Sequence, residues 1–144
     1  MSATSNGVLA AISVGFDVSL AQLLVPLLHG ATIVIAPALR QLDATAFWHL
    51  LEQQGVTHIN SVPSFFDTIS EGLDRQPFAE GCNPLRHLIL GGEAMTGTLA
   101  TRLRQRLPGT RLYNVYGPTE ACIEATAFVV PASGELPASL PIGV

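Results

Sequence analysis

Short apolar segments rich in β-branched residues recur along this chain, and helix-like segments separate them. We predict six strands from these segments, at residues 8–13, 31–36, 56–62, 85–90, 111–116 and 123–130. Parallel strands of one sheet need a crossover connection, and this connection is usually a helix. The alternation therefore predicts an α/β fold, with a mostly parallel sheet and helices on both of its faces.

The segments between the predicted strands carry helix start and stop signals. Asp17 or Ser19 is suited to cap a helix over residues 20–28, and Asp43 is suited to cap a helix that Gly55 closes. The remaining predictions are a helix that begins at Pro63, a helix over residues 98–107 and a surface loop over residues 74–84.

Composition limits the classes of protein to which the chain can belong. Its length of 144 residues suits about one domain. With 48% hydrophobic and 12% charged residues, the chain is more hydrophobic and less charged than an ordinary soluble domain. That balance suits a buried parallel sheet, or part of a larger protein whose other parts cover its faces. No apolar run reaches the ~18 residues that a membrane span needs, so no membrane partner is expected.

Charge and cysteine usage narrow the partners further. A net charge of −4 without a basic stripe argues against nucleic acid as a partner. The two cysteines, Cys82 and Cys122, lack the spacing of a metal or redox motif, so a reduced, cytoplasmic location is expected. All seven basic residues are arginines, so a mechanism that needs a lysine on a phosphate cannot be completed by this chain alone.

Polar residues and glycines follow the predicted strands at the point where each strand ends. They comprise Asp17, Asn60, the segment 91–93 and the segment 114–120. In parallel α/β sheets, ligands bind beyond the carboxyl ends of the strands. The recurrence of these residues at one end of successive strands predicts a single composite site.

The segment 112–120 has the most chemical content. An apolar, aromatic strand ends at Gly117-Pro118, and a hydroxyl and a carboxylate follow directly at Thr119 and Glu120. A carboxylate at a strand end is well placed to hold Mg²⁺, and a threonine hydroxyl with free backbone N–H groups suits phosphate oxygens. A strand followed by an ordinary turn accounts for the same residues.

The other candidates also have structural interpretations. Gly91-Gly92 allows close approach of a ligand to the backbone, or forms a tight turn. Asp17 is suited to receive an ammonium group, or only caps a helix. Glu124 lies in an apolar run. Its side chain either faces solvent because strand residues alternate between the two faces, or it is a buried charge with a functional role. Neither a dinucleotide-binding glycine motif nor a phosphate-loop lysine motif is present.

Four segments together resemble the amino-acid adenylation domain of nonribosomal peptide synthetases, which belong to the adenylate-forming enzyme superfamily. Phe16-Asp17-Val18-Ser19 is similar to the family motif Phe-Asp-x-Ser, and residues 114–120 are similar to Asn-x-Tyr-Gly-Pro-Thr-Glu. Residues 88–93 and 141–143 match the connecting pattern. The order and spacing agree over nearly the whole chain, which the resemblance identifies as part of the large N-terminal subdomain.

The resemblance implies a reaction and its partners. Members of this family join an amino-acid carboxylate to the α-phosphate of ATP, with Mg²⁺, and release pyrophosphate. They then pass the aminoacyl group to the phosphopantetheine thiol of a peptidyl carrier domain, next to a condensation domain of the same synthetase. Amino-acid activation for nonribosomal peptide synthesis is the implied function.

Motif positions imply the roles of single residues. Glu120 is expected to hold Mg²⁺ and Thr119 to contact the α-phosphate, and these two residues are the implied catalytic pair. Tyr116 is expected to stack on adenine, and Asn114 to hydrogen-bond the adenine edge. The other implied nucleotide-binding positions are Gly91, Gly92, Glu93 and Gly117.

The resemblance also implies the amino-acid pocket, in which Asp17 pairs with the substrate α-ammonium. The pocket positions would be Asp17, Val18, Ala21, Asn60, Ile89, Gly91, Val115, Ile123 and Glu124. Most of these residues are small or apolar, and a carboxylate that faces such a pocket needs a cation or donors. We therefore expect a substrate with a basic or guanidino side chain, with an amide or hydroxylated side chain as the alternative.

Departures from the family lead to a further expectation. The family's phosphate loop ahead of Phe16, its ribose-binding aspartate and hinge beyond Pro141, and its C-terminal subdomain with a catalytic lysine are not found within these 144 residues. We expect an internal fragment that is inactive by itself. The alternatives are a fragment of an acyl- or aryl-CoA ligase, against which Asp17 argues, and a non-catalytic remnant or interaction module.

Overall fold

A computed structural model describes residues 6–36, 43–75, 77–78 and 82–143 of the chain. The described part holds one sheet with the order β2-β1-β3-β4-β5-β6. Its strands are β1 Gly7–Ala10, β2 Thr32–Ile35, β3 Val56–Ser61, β4 His87–Gly91, β5 Arg111–Tyr116 and β6 Thr126–Val129. The first five strands are parallel and β6 is antiparallel to β5, which confirms the predicted mostly parallel sheet.

Four of the five helices in the described part of the chain were predicted, and the short fourth one was not. The helices are α1 Val18–Leu28, α2 Ala44–Gln54, α3 Pro63–Ile69, α4 Gly72–Arg75 and α5 Gly97–Arg106. The Asp17 side chain accepts a hydrogen bond from the Val18 N–H, and the Asp43 side chain accepts one from the Ala46 N–H. Gly55 ends α2 with a φ of 61°, in the left-handed region that glycine adopts easily. Within the described residues, the helices are all too short or too polar to cross a membrane.

Three predicted boundaries were wrong. The first strand ends at Ala10, before residue 13, and α4 takes up the start of the predicted loop 74–84. Residues 76 and 79–81 of that loop lie outside the described part of the chain.

The predicted strand 123–130 begins only at Thr126. Cys122 and Ile123 have φ angles of 61° and 78°, which no strand accommodates. The chain reverses its direction here, and the Ala125 N–H reaches the Tyr116 carbonyl as β6 turns back along β5. The antiparallel return of the chain overrides the apolar pattern of this segment.

Most of the core lies on one face of the sheet. Helices α2, α3 and α5 bury Phe47, Phe66 and Leu103 against strand residues such as Leu88 and Leu112. Helix α1 contacts β1 and β2, and its residue Ala21 lines a cavity together with Val8, Asn60 and Ile89 of the sheet. Because successive residues of a strand point to opposite faces, helices cover both faces, as predicted.

Exposed apolar side chains are concentrated on α1. Leu24, Leu27 and Leu28 are 54%, 62% and 82% exposed, and Phe16 just before the helix is 67% exposed. Isolated exposed apolar residues are common on soluble proteins, but a group of this size on one element is not. Part of the hydrophobic content of the chain is therefore exposed on this helix and not buried in the core.

The topology has a switch point between β1 and β3. The chain leaves β1 toward β2 on one side, and then crosses back through α2 to place β3 on the other side of β1. In open α/β sheets the crevice for a ligand forms at the carboxyl ends of strands beside such a point. The fold thus indicates where a site lies before any side chain is considered.

Two histidines form a stacked pair on neighbouring strands. The rings of His58 and His87 lie 4.6 Å apart at 17°. Burial, followed by the charges of His87 and Arg86, lowers the pKa of His58. Burial, followed by the charges of Arg111 and Arg86, lowers the pKa of His87. Both shifts favour the neutral over the charged imidazole in the folded protein.

This pair predicts acid sensitivity. A histidine pKa that lies lower in the folded than in the unfolded state stabilises the fold above pH ~6.5, and the stability is lost as the pH falls through the folded pKa. We expect the melting temperature to drop between pH 7.5 and 5.5, and His87→Gln to reduce that drop. His49→Gln on the exposed side of α2 is the control. An equal drop for wild type and His87→Gln contradicts the assignment.

Candidate functional site

A cavity of about 450 Å³ opens at the carboxyl ends of β3, β4 and β5, and we call it the strand-end cavity. Its other walls are the segment that leads into α1 and the turn after β5. Asp17, Asn60, Gly91 and Thr119 all line it, although they lie far apart in the sequence. The strand ends thus bring these four predicted residues to one place. The predicted residues that do not line the cavity are Glu93, Asn114, Tyr116 and Glu120.

A second cavity, of about 400 Å³, lies between α1 and strands β3 and β4, and we call it the helix-side cavity. Ala21 and Ile89 line it, and Asn60 and Glu124 line both cavities. Each of the nine predicted amino-acid pocket positions lines at least one of the two cavities: Asp17, Val18, Ala21, Asn60, Ile89, Gly91, Val115, Ile123 and Glu124.

The first turn of α1 holds Asp17 at the wall of the strand-end cavity. Its Oδ1 accepts a hydrogen bond of 2.8 Å from the Val18 N–H, and the Ser19 hydroxyl donates to the Phe16 carbonyl at 2.6 Å. Ser19 is buried, so this turn is anchored in the protein. A carboxylate accepts about four hydrogen bonds, so Asp17 keeps acceptor capacity beyond its cap.

Asn60 and Glu124 form a pair across the two cavities. Asn60 Nδ2 donates to Glu124 Oε1 at 2.5 Å, which joins the end of β3 to the turn after β5. Glu124 is exposed and precedes β6, so strand alternation does not direct its side chain. The pair places a charged oxygen beside mostly apolar walls.

The Gly91-Gly92 turn depends on its glycines. A Cβ at Gly91 would lie 2.6 Å from Val115 Cγ2, and Gly92 has a φ of +80°. Both residues line the strand-end cavity. These two glycines therefore form a tight turn and also leave their backbone accessible at the wall of a cavity.

The Glu93 carboxylate contacts the start of helix α3. Its two oxygens accept hydrogen bonds of 2.9 Å from the Ser64 N–H and the Ser64 hydroxyl, in the first turn of that helix. Glu93 does not line the strand-end cavity, whereas Gly91 and Gly92 do. Its nucleotide-binding role stays a prediction, and its visible role is to cap α3.

Glu93→Ala is expected to lower the free energy of unfolding by about 1 kcal/mol, because the cap of α3 is lost. Urea unfolding of the 144-residue chain measures the change. Glu52→Ala removes an exposed carboxylate from α2 and is the matched control. Equal losses for the two variants contradict a capping role for Glu93.

Asn114 lies in the middle of β5 and is 1% exposed. Its Nδ2 donates to the Pro141 carbonyl at 2.7 Å, while its Oδ1 is buried without a partner among the described residues. Tyr116, two residues later, is half exposed, and Gly117 lines the strand-end cavity. An unsatisfied buried acceptor costs free energy, and Asn114 does not line the strand-end cavity, so its contact with adenine stays a prediction.

Thr119 and Glu120 begin a single 3₁₀ turn, Thr119–Ala121, directly after Pro118. Thr119 lines the strand-end cavity, and Glu120 is exposed beside it in the chain. In the described part of the chain, no group of three or more His, Cys, Asp or Glu is placed to hold a metal ion. Mg²⁺ usually takes only one or two carboxylates together with phosphate oxygens and water, so a lone Glu120 fits it.

Sequence reasoning missed Gln22. This residue of α1 is buried, lines the helix-side cavity and hydrogen-bonds two other segments. The signal was present, because a glutamine inside an otherwise apolar helix needs buried partners.

Comparison with known proteins identifies the family. The family of AMP-binding enzymes matches residues 2–144. Malpinin synthetase of Mortierella alpina is 38% identical over 116 residues, which cover 81% of this chain and 1% of the relative. This chain therefore corresponds to a small part of the length of that relative.

Solved structures agree with this result. The nonribosomal peptide synthetase FmoA3, in its α-methyl-L-serine-AMP-bound form, aligns with a TM-score of 0.84 at 26% identity over 97% of this chain and 16% of that chain. Holo-PA1221, a protein with adenylation and PCP domains bound to a vinylsulfonamide inhibitor, aligns with a TM-score of 0.75 at 28% identity, over 90% and 21% of the two chains. The chain belongs to the family of AMP-binding enzymes, and within it is similar to the adenylation domains of nonribosomal peptide synthetases.

Proposed function

We propose that this chain forms the amino-acid and nucleotide pocket of an enzyme that activates an amino acid with ATP. The observation that carries the proposal is that Asp17 and Thr119 line one cavity. A carboxylate suits an ammonium group, and a hydroxyl suits a phosphate oxygen. A site with both groups accommodates an amino acid whose carboxylate faces the α-phosphate of ATP.

In this reaction a substrate carboxylate oxygen attacks the α-phosphorus, and pyrophosphate leaves with the electron pair of the broken P–O bond. Thr119 donates its hydroxyl proton in a hydrogen bond to an α-phosphate oxygen, and Glu120 holds Mg²⁺. Bound Mg²⁺ supplies positive charge that neutralises the phosphates as charge develops on them. Tyr116 supports the adenine ring by stacking, and the orphaned Asn114 Oδ1 supports recognition of its amino group.

Asp17 binds the α-ammonium of the substrate and thereby orients the carboxylate toward the nucleotide. The substrate side chain extends toward the helix-side cavity, where Asn60 and Glu124 provide the polar groups. The Glu124 carboxylate favours a basic or guanidino side chain, and an amide or hydroxylated side chain is the alternative. The activated aminoacyl group is then passed to the phosphopantetheine thiol of a carrier domain, and a condensation domain of the same synthetase uses it.

The test of this proposal is a chimera in which residues 15–141 replace the matching segment of a complete adenylation domain. We expect a cooperative melt and ATP–pyrophosphate exchange that depends on a single α-amino acid. Exchange only with carboxylic acids that lack the amine supports an acyl- or aryl-CoA ligase instead. A folded chimera that shows no ATP–pyrophosphate exchange with any carboxylic acid contradicts the proposal and supports a non-catalytic remnant.

The isolated 144-residue chain is expected to show no exchange. Charge that develops on a pentacovalent phosphorus needs cations aimed at it, and this chain contains no lysine. Robust exchange by the purified chain contradicts this expectation.

Glu124→Gln in the chimera tests the substrate class. Glutamine keeps the oxygen that accepts from Asn60 but removes the charge. We expect exchange with the preferred basic amino acid to fall about 10- to 100-fold, because a hydrogen bond to a charged group contributes about 1.5–3 kcal/mol. Glu135→Gln, an exposed carboxylate outside both cavities, is the control. An unchanged amino-acid preference excludes the role given to Glu124.

A further inference from the structure

Gln22 is a polar side chain in an apolar environment. It lies on α1 and is only 4% exposed. Burial of an amide without hydrogen bonds costs free energy. The hydrogen-bond partners of Gln22 therefore indicate the role of this residue.

The partners of Gln22 belong to two separate segments. Its Oε1 accepts hydrogen bonds of 3.1 Å from the N–H groups of Ala11 and Ile12, just after β1. Its Nε2 donates a hydrogen bond of 2.8 Å to the Asn60 carbonyl near the end of β3. The side-chain amide of Gln22 on α1 therefore bridges the end of β1 and the end of β3.

This bridge replaces missing strand pairing. Strand β1 pairs with β3 at Gly7↔Val56 and Val8↔His58, with an irregularity between the two pairs. No further pairs between β1 and β3 follow in the described chain. There the Gln22 amide accepts from the N–H groups after β1 and donates to the Asn60 carbonyl of β3, as a peptide group of an intervening strand would. The bridge lies at the topological switch point, where the crevice of such a sheet opens.

The same bridge is connected to the amino-acid pocket. Asn60, whose carbonyl Gln22 holds, donates its side-chain amide to Glu124 Oε1 at 2.5 Å. Gln22 itself lines the helix-side cavity and lies five residues after Asp17 on the same helix. One continuous chain of hydrogen bonds thus joins α1, β3 and the turn after β5.

We propose that Gln22 is a positioning residue that holds Asn60, and through it Glu124, in the geometry that selects the substrate side chain. It touches neither ATP nor the reacting carboxylate, and it acts by fixing the end of β3 relative to α1. The inference rests on the proposed function for its effect on substrate choice, whereas its effect on Asn60 and Glu124 is independent of that function.

Two variants separate positioning from general stability. Gln22→Glu keeps the acceptor for Ala11 and Ile12 but sets an oxygen against the Asn60 carbonyl. Gln22→Met removes donor and acceptor together. Gln105→Glu makes the same chemical change on an exposed position of α5 and is the control.

The first measurement uses the 144-residue chain, with NMR signals of the Asn60 side-chain amide and the Glu124 backbone amide. We expect Gln22→Glu to shift both signals and to lower the melting temperature, because it buries a carboxylate against the Asn60 carbonyl, and Gln22→Met to lower the melting temperature as well. Gln105→Glu leaves both signals in place. If Gln22→Glu also leaves both signals at their wild-type positions, the positioning role is wrong.

The second measurement uses the chimera and separates the two kinetic parameters. We expect Gln22→Glu to raise KM for the amino acid about tenfold, the effect of one lost hydrogen bond, while KM for ATP and kcat change little. A purely structural role instead lowers the active fraction, and thus apparent kcat, with both KM values unchanged. If the wild-type chimera is silent, the proposed function fails, and the NMR signals still decide whether Gln22 positions Asn60 and Glu124.

Discussion

Glu120→Gln is expected to lower ATP–pyrophosphate exchange of the chimera by about 100-fold or more. The substitution removes the only charge of the Thr119–Ala121 turn that is suited to Mg²⁺. Charge stabilisation by a bound metal ion is worth several kcal/mol in a transition state, and each 1.36 kcal/mol is a factor of ten in rate. Because Glu120 is exposed, the variant is expected to fold as wild type does.

A magnesium titration gives this prediction its second readout. If Glu120 holds the ion, the variant needs more Mg²⁺ for half-maximal exchange, whereas Glu135→Gln keeps the wild-type requirement. Glutamine retains the size of the side chain, so a large loss is attributable to charge. Exchange within about threefold of wild type at the same Mg²⁺ concentration is the result that removes Glu120 from the proposed metal site.

Phe47→Ala is expected to lower the free energy of unfolding by about 3–5 kcal/mol. Phe47 is fully buried and makes edge-on contacts with Trp48, Phe65 and Phe66 at centroid distances of 5.0, 5.4 and 6.2 Å. Removal of the ring loses its transfer free energy, leaves a cavity and ends the aromatic contacts. In a domain with a total stability of about 5–15 kcal/mol, this loss leaves much of the chain unfolded near its working temperature.

Urea unfolding of the 144-residue chain, followed by tryptophan fluorescence, measures this loss. Trp48 is the only tryptophan and lies next to the substituted ring, so its emission reports the affected region. Leu28→Ala, at an 82% exposed position, is the control and is expected to change stability by less than about 0.5 kcal/mol. A loss below about 1 kcal/mol for Phe47→Ala contradicts its place at the centre of the core.

The element types were largely predictable because they depend on local periodicity. The alternation of apolar strands with capped helices predicted the parallel sheet, and Asp43 and Gly55 lie at the ends of α2 as expected. The predicted strand over residues 123–130 failed because apolar content alone does not show where a chain reverses direction. Positive φ angles at Cys122 and Ile123 become understandable only once β6 is placed antiparallel to β5.

That a cavity lies at the carboxyl ends of the strands was also predictable, but the contacts around it were not. Asp17, Asn60 and Glu124 all line the cavities, since carboxyl ends of parallel strands meet at one edge of a sheet. The sequence signal for Gln22, a glutamine inside an otherwise apolar helix, does not say which groups it contacts. The burial of this glutamine depends on how α1 lies against β1 and β3.

The sequence by itself determined which segments form strands and helices and at which edge of the sheet the polar residues gather, because periodicity and turn chemistry act over a few residues. Only the tertiary structure decided that Asn60 reaches Glu124, 64 residues away, and that Gln22 bridges β1 and β3. The physical reason is the strand order β2-β1-β3-β4-β5-β6, which determines which side chains become neighbours. A hydrogen bond forms only between groups about 3 Å apart, and separation in sequence says nothing of that distance.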